Sequence, residues 1–89
     1  MPEYALIARR IRSFLAARCG TADLPAPDEA DLVDEGILDS LQLLEVLEFL
    51  EEEFGVPPSQ RLLMGETAFS IRSLAQEVLE HDVIKRNRP

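Results

Sequence analysis

Apolar residues recur at helical spacing in three stretches of this chain, and turn-forming residues separate the stretches. At about 100° per residue, Leu43, Val46, Leu47, Leu50 and Phe54 fall on one stripe, with Glu45, Glu48 and Glu52 on the opposite face. This pattern predicts an amphipathic helix from Ser40 to Phe54, stopped by Gly55. Near the start, Pro2 and Glu3 suit a helix beginning, and Tyr4, Ile7, Ala8, Ile11, Phe14 and Leu15 repeat down to Cys19, with Gly20 as a C-cap. Towards the end, Ser70 is placed to cap a helix in which Ile71, Leu74, Ala75, Val78 and Leu79 repeat at i, i+3, i+4, i+7 and i+8. Val56-Pro57-Pro58 forces a turn, and Ser59 to Met64 reads as a short third helix ending at Gly65. No repeat, low-complexity segment or strand-like alternation interrupts this, so the expected fold is all-α: a small bundle of three main helices and one short one.

From Thr21 to Leu38 the chain turns to Pro25, Pro27 and many acids, which reads as a loop. Loops beyond about 12 to 15 residues are uncommon in compact domains unless something holds them. Leu24, Leu32, Val33 and Ile37 are the expected apolar anchors. The acids Asp28, Asp31, Asp34 and Glu35 invite a calcium reading, but with Gly36 as the sixth loop position the third is Val33 and the twelfth Gln42, neither an EF-hand ligand. No metal site is expected.

The loop ends in Gly36-Ile37-Leu38-Asp39-Ser40-Leu41, where the strongest helix begins. Asp39 and Ser40 can both accept hydrogen bonds from a first turn, but Gln42 stands three residues after Asp39, at capping-box spacing, whereas Leu43 stands three after Ser40. Asp39 is therefore the expected cap. Ser40 then occupies the first helical position with its hydroxyl free, and a phosphate on that hydroxyl would lie at the positive end of the helix dipole.

Gly36-Ile37-Leu38-Asp39-Ser40-Leu41, followed by Glu51-Glu52-Glu53-Phe54-Gly55, resembles the acyl carrier and peptidyl carrier proteins, and the likeness in element order runs from about Tyr4 to Glu80. The resemblance implies an acyl-carrier-like helical bundle in which the serine of Asp-Ser-Leu, here Ser40, carries covalent phosphopantetheine. It implies as partners a phosphopantetheinyl transferase, and acyl- or aminoacyl-loading and synthase enzymes with basic docking patches. Gln60-Arg61-Leu62-Leu63-Met64 departs from the acidic, polar stretch that carriers commonly show there.

Charge sharpens this picture. Residues 28 to 55 hold eleven of the seventeen acidic residues and no Lys or Arg, within a net charge of −8. Such a block repels nucleic acid and anionic lipid and attracts basic surfaces. Because it surrounds Ser40, docking is expected on this face, with Asp39, Leu41, Glu45 and Glu48 as the residues partners read; Leu41 lies at the same helical angle as Glu45 and Glu48. Arg9, Arg10, Arg12 and Arg18 lack an interleaved aromatic platform, so they are expected to face solvent or pair with the acidic block rather than bind nucleic acid.

Eighty-nine residues make one domain with a thin core, expected to span 1–82, with a basic tail over 83–89 containing Lys85, Arg86 and Arg88. No apolar run is long enough for a membrane span or secretory signal, which places the chain in the cytoplasm. A monomer is expected. The single Cys19 excludes an internal disulfide framework. Catalysis by the chain alone is not expected: the one histidine, His81, lies some forty residues from Ser40, and the carboxylates of the Ser40 helix lie on its wet face, with no activating partner in the pattern. The expected function is a discrete carrier of acyl or aminoacyl groups as thioesters, serving polyketide or nonribosomal peptide biosynthesis. The alternatives are a fatty-acid-type acyl carrier, and an unmodified helical interaction module. A small acidic hydrolase is the third reading.

Overall fold

Each apolar stripe becomes a helix: α1 (Tyr4–Cys19), α2 (Ser40–Phe54), the short α3 (Gln60–Leu63) and α4 (Ile71–Arg86). The computed structural model describes residues 4–24, 26–58 and 60–86, and no strand occurs among them. Pro2 and Glu3, expected to begin the first helix, Pro25 of the long loop, Ser59, expected to open the third helix, and the end of the expected tail at 87–89 lie outside the described residues. α1 packs along α4, and the buried side chains form one cluster. Ile11 and Leu15 of α1, Val46 and Leu50 of α2, and Ile71 and Leu74 of α4 are essentially enclosed. Each such side chain is worth about 1.5 to 3 kcal/mol when fully buried, so the stripes hold the bundle together. Leu43 and Phe54 at the edges of the α2 stripe, and Tyr4, Phe14 and Leu79 on the other helices, are half-buried against this cluster.

Helix ends follow the local chemistry. Gly55, at φ 70°, closes α2 with its N–H directed to the carbonyls of Glu51 and Leu50, a left-handed turn that residues with a Cβ rarely adopt. Ser70 accepts a hydrogen bond from the Ser73 amide at 3.1 Å, capping α4.

The long first loop is laid over the bundle as a built element. Leu32 is fully buried; its N–H donates to the Phe69 carbonyl (2.9 Å), and its own carbonyl accepts from Ile37 (2.9 Å) and Leu38 (3.0 Å). Leu24 is buried too, and Ile37 is half-buried. Val33 corrects the sequence reading: it is 41% exposed, because the turn that carries Leu32 inward sends its neighbour outward, and Leu38 takes the buried place instead.

The loop's acids hold the chain to itself. Arg12 reaches from α1, donating to the carbonyls of Leu24 (3.1 Å) and Ala26 (2.9 Å) and to Asp28 Oδ1 (2.6 Å), while the Tyr4 hydroxyl donates to Asp28 Oδ2 (2.9 Å). Asp31 accepts from the amides of Val33, Asp34 and Phe69. The Arg12 guanidinium and then the Tyr4 hydroxyl hold the Asp28 carboxyl below the usual carboxylate range. A depressed folded-state value means that this stabilisation is complete above the ordinary carboxylate pKa and is lost as pH falls through the lower folded-state value. Replacing Asp28 with Asn is therefore expected to flatten the acid limb of the melting temperature against pH below about pH 4.

Candidate functional site

The Asp39–Ser40 junction forms as its spacing predicts. Asp39 is the N-cap of α2: its Oδ1 accepts from the Gln42 amide at 2.8 Å, and the Gln42 side-chain oxygen accepts from the Asp39 amide at 3.0 Å, completing a capping box. Gly36, at φ 73°, turns the loop just before it. Ser40 follows as the first helical residue, exposed, with its hydroxyl in no hydrogen bond among the described residues. Asp39→Ala is expected to cost about 0.5 to 2 kcal/mol of stability by thermal melting, and Ser40→Ala clearly less, because only the aspartate side chain satisfies a first-turn amide.

Beyond the cap, α2 presents an apolar pair to solvent. Leu41 is 68% and Leu44 is 54% exposed, and at three residues apart they share one flank. Glu48, one turn further on, is exposed, while Glu45 is half-buried. The sequence reading took Leu41 and missed Leu44. The signal was available in the i, i+3 spacing, but Leu44 stands beside the half-buried Leu43 and reads as part of the same apolar run.

The other flank of α2 meets α1 along an aromatic seam. The Phe14 ring stacks on Phe49 with centroids 4.1 Å apart, and Phe54 meets Phe49 edge-on at 6.0 Å. Charges close over these rings: Arg18 Nη1 lies 2.8 Å from Glu45 Oε2, and Arg10 pairs with Glu53. Of the α1 arginines, Arg10, Arg12 and Arg18 thus engage the acidic block, while Arg9 faces solvent, and the pairing divides the block. Glu45 is paired within the chain, whereas Glu48, Glu51 and Glu52 have no ion pair among the described residues.

The junction fits a phosphodiester. The N–H groups of Ser40 and Leu41 have no intrahelical acceptor, and the dipole of a 15-residue helix favours an anion at that end, partly offsetting the nearby Asp39 carboxylate. The sequence profile of the family described as phosphopantetheine attachment site matches residues 9–78, most of the chain. The chain belongs to that family. As a member it is a phosphopantetheine carrier, with the cofactor attached covalently, and carrier domains of this kind interact with transferase and synthase enzymes and are generally not catalysts themselves. Comparison of this carrier with curated proteins and with solved structures gave no significant match. Among its described residues, no helix is long and apolar enough to cross a membrane.

Proposed function

We propose that this is a discrete, non-catalytic carrier that holds acyl or aminoacyl groups as thioesters on a phosphopantetheine arm at Ser40. The observation that carries the reading is the free, exposed Ser40 hydroxyl at the first position of a helix capped by its neighbour Asp39. Transfer from coenzyme A forms a bond between Ser40 Oγ and phosphorus and releases adenosine 3′,5′-bisphosphate, the hydroxyl proton passing to a base of the transferase. The bound arm supplies a thiol for thioester chemistry; the chain's own residues supply the root and the surface that partners read. The Arg-rich α1 and the unusual Gln60-Arg61-Leu62-Leu63-Met64 stretch favour service in polyketide or nonribosomal peptide synthesis over the fatty-acid type. The carrier unit in this reading is 1–82, a monomer in the cytoplasm. Intact mass after co-expression with a broad-specificity phosphopantetheinyl transferase tests carriage: one added phosphopantetheine is expected, and an unmodified chain would favour the interaction module. Loading of the product by an aminoacyl- or polyketide-type enzyme but not by a fatty-acid-type one would support the pathway reading, and the reverse would overturn it.

Partners are read through Leu41, Glu45 and Glu48, with Asp39 at the edge, and Leu44 extends this face. Because Glu45 is paired with Arg18, Glu48 is the cleaner probe. Glu48→Lys is expected to leave the melt within about 0.5 kcal/mol of the parent. It should slow modification at low salt, with the deficit shrinking as salt is added, since rim charges govern encounter. Leu41→Ala should slow modification with little salt dependence. Unchanged rates in both variants would contradict docking on this face.

A further inference from the structure

The α1–α2 seam contains an open hollow of about 210 Å³ lined by Phe14, Arg18, Glu45, Glu48, Phe49 and Glu52. One guanidinium already sits in it. Arg18 lies with its central carbon 5.1 Å from the Phe14 ring centroid and Nη1 2.8 Å from Glu45 Oε2, its side chain half exposed. The hollow holds three carboxylates against this one cation, and Glu48 and Glu52 are unpaired among the described residues. We infer that the seam is the docking place for an arginine of a partner enzyme, and that Arg18 is its internal occupant, which the partner must displace from Glu45. The inference rests on the reading of α2 as a partner-facing helix.

Charge and shape select the occupant together. The surplus of negative charge calls for a cation, and the stacked Phe14–Phe49 pair offers an aromatic face as its floor. A planar guanidinium can lie on that face and fork a carboxylate at the same time, which a compact ammonium does less well. Arg18 makes both contacts within the chain. Its pair with Glu45 is exposed enough to open, because such pairs hold weakly and exchange with solvent. Arg18 therefore acts as a competitor: it withholds Glu45 from weakly basic surfaces and yields to a partner that brings a stacking arginine.

The test is the kinetics of Ser40 modification by phosphopantetheinyl transferase at low salt, with folding of each variant checked by melting. Arg18→Gln is expected to raise kcat/KM about two- to fivefold, through KM with kcat unchanged, the range that loss of one exposed ion pair supports. Arg9→Gln is the control for net charge, since Arg9 is exposed on the same helix without an ion pair among the described residues. It should give less than half that gain. In a Glu45→Gln background the gain from Arg18→Gln should vanish. An equal gain from Arg9→Gln, a gain that survives in Glu45→Gln, or no gain at all would overturn the inference. If Glu48→Lys slows modification while Arg18→Gln does nothing, only the Arg18 assignment fails; if Glu48→Lys and Leu41→Ala are both without effect, the docking face itself fails. The guanidinium preference is read separately by titrating Arg18→Gln with L-arginine amide and L-lysine amide: the Phe14 and Phe49 ring proton signals should move further with the arginine compound, and equal shifts would overturn the assignment.

Discussion

Ser40→Ala is expected to take up no phosphopantetheine under conditions that modify the parent chain fully, while melting within about 0.5 kcal/mol of it. The two halves of this expectation have separate physical grounds. Loss of modification follows because the transferase must form a bond to a side-chain oxygen presented at the start of α2, and alanine removes the one hydroxyl there. Retained stability follows because the Ser40 side chain is exposed and unbonded, whereas Asp39 and Gln42 hold the helix end between them. The other described serines are poor substitutes. Ser70 and Ser73 bond to each other at the start of α4, and Ser13 lies in mid-helix on α1. A Ser40→Ala chain that is modified as fully as the parent would place the arm elsewhere.

The second large effect lies in the loop that delivers Ser40. Leu32→Ala is expected to cost about 2 to 5 kcal/mol, the range for truncating an enclosed leucine. That is a large share of the roughly 5 to 15 kcal/mol that holds a typical domain together. Leu32 is fully buried, and its backbone links the loop to Phe69 on one side and to Ile37 and Leu38 on the other. The denaturant midpoint should fall with little change in slope. Val33→Ala, one residue on and exposed, should move stability by no more than about 0.5 kcal/mol. Comparable losses in the two variants would mean that the loop has no fixed inside and outside.

Much of this was legible in one dimension. A helix writes its buried face into the sequence every three or four residues, so α1, α2 and α4 emerged from spacing alone, and the Asp39 cap from the position of Gln42. The loop anchors were half legible, because an irregular segment has no period: Leu32 and Val33 look alike until the turn directs one inward and the other outward. Pairings between elements left no local trace. Nothing in the spacing of α1 distinguishes Arg12, which holds three acceptors around the loop, from Arg18, which closes over the Phe14 ring, or from Arg9, which pairs with nothing among the described residues. Arg61 was noticed only as a departure from the family's usual stretch. In the fold it pairs with Glu77 and Glu80 of α4 and ties the single turn of α3 to the bundle. Leu63 and Met64, beside it, are left exposed.

The measurement that bears most directly on Ser40 as the root of the arm is fragment-ion mapping of the parent chain after reaction with phosphopantetheinyl transferase, coenzyme A and magnesium. The account predicts a single added phosphopantetheine whose mass appears only in fragments containing Ser40. A group mapped to any other residue, or a parent chain left unmodified by a transferase that fully modifies a control carrier in the same mixture, would contradict it.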